Sequence, residues 1–460
     1  MLKEDHYHFI GIGGIGMSGI ALVLLNKGLS VSGSDIATND RILEVANNGG
    51  IIFNSQQPQN IDFIRKKFNT KNLIIVISSA INIKNKELNY CVDQQLSIKH
   101  RSDILSLIMK SFKSIAVAGS HGKTSTSTLL TTLIDLCTKD TSSIVGGILP
   151  KHESNTIIKN SKYLVAEIDE SDGTTCKYTP FLGIINNIDF DHCDFYSDIK
   201  DLISSFKEFG SNSEILLTNN DCKITKENII SDYTWSTKKT NNINFALIPK
   251  KFDPEYTIAD FYENGQAITM LKIPIPGVHN LSNITAAISA CRIINIDIKS
   301  ILKNIQFLQL PRKRFELRGE IIGRTIIDDY GHHPNEIKAT IDLARLFMKR
   351  KDNNINRLVL IFQPHRYSRI TKFLYQFIQE LSKADYIIVT DIFSAGENNL
   401  NDINSQFIAN EIYKINKNVK FINNNYEIVK YFFNITNKGD LILNMGAGDC
   451  HNLWSLLNSK

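Results

Sequence analysis

Residues 114–128 read SIAVAGSHGKTSTST. The run Ile115-Ala116-Val117-Ala118 is short, apolar and free of breakers, which predicts a buried strand. Gly119 ends it, Gly122-Lys123-Thr124 follows, and the Ser/Thr/Leu-rich text beyond has the length of a helix. Strand, glycine turn, Lys-Thr and helix in that order is the layout of a phosphate-binding loop. Glycines let backbone N–H groups converge on phosphate oxygens, and the helix N-terminus adds favourable dipole. The residues expected around ATP are Gly119, Ser120, His121, Gly122, Lys123, Thr124 and Ser125. Lys123 would reach the β- and γ-phosphates, and the Thr124 hydroxyl would sit on Mg2+. The loop is the short form G-x-x-G-K-T, because Val117 stands where the longer pattern has its first glycine.

Working outward, apolar strand-like runs alternate with amphipathic helical stretches nearly throughout, which predicts an α/β protein with mostly parallel sheets. A chain of 460 residues exceeds one compact core and suits three domains. We expect them at 1–110, 111–310 and 311–460, with the basic segment Pro311-Arg312-Lys313-Arg314 as a linker. Expected strands include 8–12, 29–32, 73–78, 163–168, 183–188, 214–218, 324–328, 358–362, 386–390 and 440–444, with a surface loop at 237–244. A net charge of +5 is small for this length and does not argue for nucleic acid as partner. Seven scattered cysteines without a C-x-x-C favour reduced thiols and a cytoplasmic setting over disulfides or a zinc site. Glu4 and Asp5 do not fit a signal peptide, and no apolar run has membrane-spanning length.

Gly11, Gly13 and Gly16 make a G-x-G-x-x-G after the first strand, with Asp35 at the end of the second. Taken alone, this is a dinucleotide fingerprint with Asp35 on a ribose hydroxyl, although the same fold also takes other nucleotides. The block Glu167-Ile168-Asp169-Glu170-Ser171-Asp172 ends a central strand, so a carboxylate there can face a cation opposite Thr124. Asp191 and His192 follow another strand end and could supply a second metal position. Asn280 and Asn283 open a helix, either as caps or as contacts to a purine. In the third part, Asp328–Pro334 and Gln363–Arg369 are polar clusters that follow strands, and Met445–Asp449 is another glycine turn.

With these residues in view, the chain resembles the Mur ligase family. The matching stretches are HFIGIGGIGMSG, VAGSHGKTST, AEIDESDG, NIDFDHCDFY, PGVHNLSN, KRFELRGE, DDYGHHPNEI, QPHRYSR, TDIFSAGE and MGAGD, in family order along nearly the whole chain. The resemblance implies three domains: a Rossmann-like N-terminal domain for a UDP-sugar, a P-loop-type central domain for ATP, and a Rossmann-like C-terminal domain for the amino acid. It implies ATP-dependent amide formation through an acyl phosphate, in the synthesis of peptidoglycan precursors for cell wall and division. Residue by residue, it implies Gly13, Gly14, Ile15, Gly16, Ser18, Asp35, Ser78, Ser79, Arg101, Ser171 and Asp172 at the UDP-sugar. Thr124, Glu167 and His192 would hold Mg2+, and Lys123, Glu167, His192 and Arg314 would be catalytic. Asn280 and Asn283 would contact ATP, and Tyr330, His332, His333 and Arg366 would line the amino-acid pocket.

Family members that add later amino acids carry a modified lysine downstream of the motif aspartate. Phe206 occupies that position here, with Lys207 beside it. The resemblance therefore points to the branch that joins L-alanine to UDP-N-acetylmuramate. The alternatives are the recycling ligase that adds a tripeptide and, from another class, an NAD-dependent oxidoreductase built on Gly11–Asp35. No nucleic acid or membrane is expected as partner, and the resemblance leaves monomer and homodimer both open.

Overall fold

The run Asp5–Ile10 is buried at all six positions, as the central strand of a sheet covered on both faces must be. It is the middle strand of a five-stranded parallel sheet in the computed structural model, which describes residues 5–68, 72–190, 195–350, 354–399 and 402–458. The chain divides into two compact bodies. One comprises residues 1–188, 200–234 and 286–301, and the other residues 189–199, 235–285 and 302–460. The described strands form sheets of five, ten and six strands.

In the first body the five-stranded sheet runs Ile51–Phe53, Ser30–Ser34, Asp5–Ile10, Asn72–Ile77, Ser97–His100, all parallel. Strand order reverses beside Asp5–Ile10, so the crevice for a ligand lies at the ends of Asp5–Ile10 and Asn72–Ile77. The Gly11 turn and Ser78–Ser79 follow those two strands. The body's second set of parallel strands runs Ile215–Asn219, Leu182–Ile185, Lys113–Ala118, Tyr163–Glu167, Thr141–Leu149, with Ser154–Ile157 antiparallel at the edge. Here Lys113–Ala118 lies between Leu182–Ile185 and Tyr163–Glu167.

In the second body a six-stranded sheet runs Glu316–Ile321, Arg324–Asp329, Asp440–Met445, Arg357–Phe362, Tyr386–Val389, Val419–Phe421. All its pairings are parallel except that of Glu316–Ile321. Leu358, Leu360 and Phe362 enter one core cluster while Val359 and Ile361 enter the other. That alternation is the strand period of two applied to a sheet with helices on both faces.

The expected strands are all present, with ends displaced by a residue or a few. The first starts at Asp5 and ends at Ile10, because Gly11 already has φ 83°. Residues 237–244 are loop, as expected. An antiparallel meander, Phe245–Phe252, Thr257–Glu263 and Gln266–Ile273, is an addition. Its tight turn is Asn264-Gly265, both with positive φ, which is the strongest short hairpin signal a sequence carries. The segment Pro311–Arg314 is a pinned turn instead of a free linker. Lys313 and Phe315 both have positive φ, Lys313 donates its N–H to Glu316, and its carbonyl accepts from the Tyr330 N–H at 2.8 Å. The six described cysteines are free thiols. No helix among the described residues is long and apolar enough to cross a membrane.

His6 and His8 share one face of the first strand and are fully buried. His6 bonds to Ser30 at 2.8 Å and Ser32 at 2.7 Å, and its ring packs on Phe68 at 4.5 Å. Burial, and after it the neighbouring His8, lowers the His6 pKa from 6.5 to about 4. Between those values the unfolded chain binds a proton that the fold excludes, so stability is complete above pH 6.5 and is lost as pH falls towards 4. We expect the urea midpoint to fall over that interval, and His6→Gln to flatten the fall. A midpoint equally steep in the variant would assign the acid sensitivity to other groups.

Candidate active site

The strand Lys113–Ala118 delivers its loop to the carboxyl edge of the first body's sheet. Two glycines shape that loop. Gly122 caps the helix Lys123–Thr138 at φ 77°, and Gly119 has φ 131°. A Cβ on Gly119 would lie 3.0 Å from Cβ of Asn186 and 3.1 Å from the Asn187 nitrogen. The loop hangs from this asparagine pair. The Asn187 carbonyl accepts from Ser120 N–H at 3.1 Å, and its Oδ1 accepts from His121 N–H at 2.8 Å. Asn187 Nδ2 donates to the His121 carbonyl at 3.1 Å, and Asn186 Nδ2 donates to Thr126 Oγ1 at 2.9 Å.

Lys123 Nζ donates to Glu170 Oε1 at 2.8 Å and to the Gly119 carbonyl at 2.7 Å. Burial opposes its charge, but the carboxylates of Glu170, Asp169 and Glu167 outweigh that and raise its pKa above the ordinary lysine value. The Glu167 pKa is raised as well, here towards the neutral form. Burial raises its carboxyl pKa, against the pull of Lys123, the Gly146 N–H and the Thr124 hydroxyl. Thr124 Oγ1 donates to Glu167 Oε1 at 3.0 Å, and Gly146 N–H to Glu167 Oε2 at 2.7 Å. A hydroxyl and a carboxylate at the start of a helix are the hard oxygen donors that Mg2+ takes. His192, expected as a further metal ligand, lies outside the described residues.

At the carboxyl edge of the five-stranded sheet, Gly13 N–H donates to Asp35 Oδ2 at 2.8 Å, and Ala37 N–H to Asp35 Oδ1 at 3.0 Å. Asp35 thus shapes the glycine turn itself, and each oxygen keeps a further lone pair. A Cβ on Gly13 would come within 2.9 Å of Asp35, Asn39 and Ile42. Ser79, Arg101 and Asp172 are brought together. Ser79 Oγ donates to Asp172 at 3.1 Å, and Arg101 Nη2 donates to Asp169 at 2.8 Å and to Asp172 at 3.1 Å. Ser171 N–H donates to Asp169 Oδ1 at 3.0 Å. Gly16 lies against Arg101, and the half-buried Ile15 carbonyl accepts from Asn155 at 2.6 Å. Gly14 is exposed and Ser78 half-buried, whereas Ser18 is fully buried with its hydroxyl on the Ile15 carbonyl.

In the second body, loops after three adjacent strands converge. Tyr330 meets His332 edge-on at 5.4 Å and stacks on His451 at 6.2 Å, and His332 lies 5.5 Å from His365. Arg366, at φ 65°, precedes the helix Tyr367–Leu381 and lies 3.7 Å from Glu397. Arg369 is buried with Nη1 at 3.1 Å from His365 Nδ1. His333 is buried and caps the helix Pro334–Phe347 through Asn335 N–H. Arg314 stands over the Tyr330 ring at 5.3 Å and 3.8 Å from Glu336. Burial, and then Arg314, lowers the His279 pKa to about 4. Asn280 is buried with its amide on the Pro276 carbonyl at 2.8 Å, while Asn283 lies on the same helix and is also buried.

Sequence reasoning placed Asp329, His365 and Arg369 in polar clusters without giving them a role, did not pair Glu170 with Lys123 or see Asn186 and Asn187 as the loop's hanger, and passed over Gly146 and His451. Asp329 is the most consequential of these in the second body. Its carboxylate accepts from Gly331 N–H at 2.7 Å and Phe315 N–H at 2.8 Å, and so fixes the turns that carry both Tyr330 and Arg314.

Three family profiles match the chain: the Mur ligase family catalytic domain over residues 6–113, the Mur ligase middle domain over 117–291, and the Mur ligase glutamate ligase domain over 313–448. A UDP-N-acetylmuramate–L-alanine ligase of Prochlorococcus marinus subsp. pastoris is 58% identical over 461 residues, covering 99% of this chain and 98% of the relative. The crystal structure of a UDP-N-acetylmuramate-alanine ligase from Thermotoga maritima superposes with a TM-score of 0.83 at 24% identity, over 99% of this chain and 98% of that one. A murein peptide ligase from Psychrobacter arcticus gives 0.70 at 20% identity, over 99% and 98%.

Two substitutions test the first body's site. Lys123→Ala removes one contact to developing charge and is expected to lower turnover about 100- to 1,000-fold with the fold retained. Near-normal turnover would remove Lys123 from the chemistry. Gly146→Ala would place a Cβ 2.5 Å from Glu167 Oε2, so the carboxylate must move. We expect kcat to fall at least about tenfold, as for a catalytic group misplaced by an ångström. Wild-type kcat would show that the position of Glu167 is not critical.

Proposed function

This chain belongs to the Mur ligase family, and we propose that it joins L-alanine to the carboxylate of UDP-N-acetylmuramate with cleavage of ATP to ADP and phosphate. The observation that carries this reading is the full-length likeness to the cyanobacterial alanine-adding ligase. Residues 1–110 would take the UDP-sugar, 111–310 ATP and 311–460 the amino acid, in a cytoplasmic enzyme of peptidoglycan precursor synthesis.

The chemistry follows from the substrate. A carboxylate resists attack by an amine until it is activated. A carboxylate oxygen of the sugar nucleotide attacks the γ-phosphorus of ATP and ADP leaves, giving an acyl phosphate. The deprotonated amine of L-alanine then attacks the carbonyl carbon and phosphate leaves. Phosphoryl transfer asks mainly for alignment and neutralised charge. Lys123 supplies a permanent positive charge at the loop, held in place by Glu170. Thr124 and Glu167 would hold Mg2+, which when bound neutralises charge on the phosphate oxygens. Asn280, Asn283 and Arg314 are assigned to the nucleotide, and Ser79, Arg101 and Asp172 to the UDP-sugar.

Arg366 suits the amino-acid carboxylate, because a guanidinium pairs with it in a fork. Tyr330, flanked by His332 and His451, would bound the pocket for the alanine methyl group. Phe206 is fully buried in the helix Ile199–Ser211 and Lys207 is exposed, so the position of the modified lysine is core here.

The test is phosphate release from ATP and UDP-N-acetylmuramate as a function of added amino acid. L-alanine is expected to drive it, with glycine and L-serine poorer, since one methyl is worth about 1–3 kcal/mol. Tyr330→Ala is expected to raise KM for alanine and admit bulkier amino acids. Efficient use of the tripeptide L-Ala-γ-D-Glu-diaminopimelate by the wild type would assign the chain to recycling instead. An unchanged preference in Tyr330→Ala would place the selectivity elsewhere.

A further inference from the structure

A buried polar chain crosses the face of the five-stranded sheet and ends under its glycine turn. Glu87, fully buried on the helix Lys86–Asp93, is its anchor. Its Oε1 accepts from His8 Nε2 at 3.0 Å and Asn60 Nδ2 at 2.8 Å, and its Oε2 accepts from the Ser34 hydroxyl. A carboxylate only accepts, so His8 carries a proton on Nε2. Ser32 Oγ lies 2.8 Å from His8 Nδ1 and 2.7 Å from His6 Nε2, and His6 Nδ1 lies 2.8 Å from the Ser30 hydroxyl. Glu87 also faces the buried thiol of Cys91, which burial and then Glu87 push up to about 12. Arg65 acts on that thiol from the helix Pro58–Phe68.

The far end of the chain reaches the loop. The Ser34 carbonyl accepts from Gly11 N–H at 2.8 Å and Ile12 N–H at 3.1 Å. The next residue, Asp35, holds Gly13 N–H at 2.8 Å. Gly11, at φ 83°, has its Cβ direction closed by Ile81 at 2.9 Å. Moving Ser34 thus moves the turn, through its carbonyl at Gly11 and Ile12 and through Asp35 at Gly13.

We propose that Glu87 is a positioning residue for nucleotide-sugar binding, acting through Ser34 on the Gly11–Gly13 turn. The proposal rests on the assignment of that turn to the UDP-sugar. Glutamine has the same shape but a single acceptor oxygen. With that oxygen kept for His8 and Asn60, its NH2 faces the Ser34 hydroxyl, which can no longer donate there.

The experiment uses the full chain and calorimetry with UDP-N-acetylmuramate, ATP and steady-state kinetics. Glu87→Gln is expected to raise Kd and KM for UDP-N-acetylmuramate about tenfold, the size of a lost charge-assisted bond, with kcat and KM for ATP and L-alanine within about twofold. Ser34→Ala is expected to move the same constants in the same direction, and the double variant to be no worse than Glu87→Gln alone, because both remove one link. Wild-type affinity for the sugar nucleotide in folded Glu87→Gln overturns the proposal. So does an equal loss of affinity for ATP, which would mark a general structural role. If Glu87→Gln does not fold, unchanged affinity in Ser34→Ala overturns it. Failure of the wild type to bind UDP-N-acetylmuramate while binding ATP would overturn the assignment of the turn itself, without reference to Glu87.

Discussion

An ammonium group enclosed by protein is tolerated only beside an opposite charge, and Lys123 is such a group. Glu170 and the Gly119 carbonyl hold it at the mouth of a loop that could otherwise collapse. Because Glu167 and Asp169 stand on the same stretch, that stretch supplies further negative charge to Lys123 and places a carboxylate against the Thr124 hydroxyl. The arrangement depends in turn on strand register: Val117 pairs with Glu167, which brings the acidic strand end beside the loop.

The same economy recurs in each sheet. Functional side chains stand at carboxyl ends of neighbouring parallel strands, where chain order reverses or loops from adjacent strands meet. Carboxylates and one carboxamide behind them shape the backbone. Asp35 does this for the glycine turn, Asp329 for the turns carrying Tyr330 and Arg314, and the Asn187 amide for the loop after Lys113–Ala118. These residues touch backbone N–H groups more than side chains, so they act as templates for loops that lack regular structure of their own.

Much of this was legible in the chain. Glycine turns after apolar runs located the strand ends, since only glycine takes φ values such as those at Gly11, Gly119 and Gly122 without cost. Strand ends near these turns were less legible, because apolarity continues past the last ladder bond, as at Ile12. The antiparallel meander was passed over although Asn264-Gly265 announces its turn. Pro249 interrupts the flanking strand pattern and is accommodated by a bulge. The segment Pro311–Arg314 looked like a linker because basic, proline-containing text usually is. Its fixed conformation comes from Glu316 and Tyr330 (the second 16 residues from Arg314), which no local window contains.

By itself, the sequence determined the alternation of strands and helices, the three glycine turns, and the residue types beside them: a lysine and threonine in a short phosphate-loop pattern, a run of carboxylates, and clusters of histidine and arginine. Those are properties of residue type and local spacing. Only the tertiary structure decided which donor each carboxylate takes, giving Lys123 to Glu170, Thr124 to Glu167, and Arg101 to Asp169 and Asp172. It alone aligned Ser30, His6, Ser32, His8, Glu87 and Ser34 into one hydrogen-bonded chain. Pairing across a sheet is set by register and helix packing, and the partners are brought within 3 Å by contacts tens of residues apart in sequence.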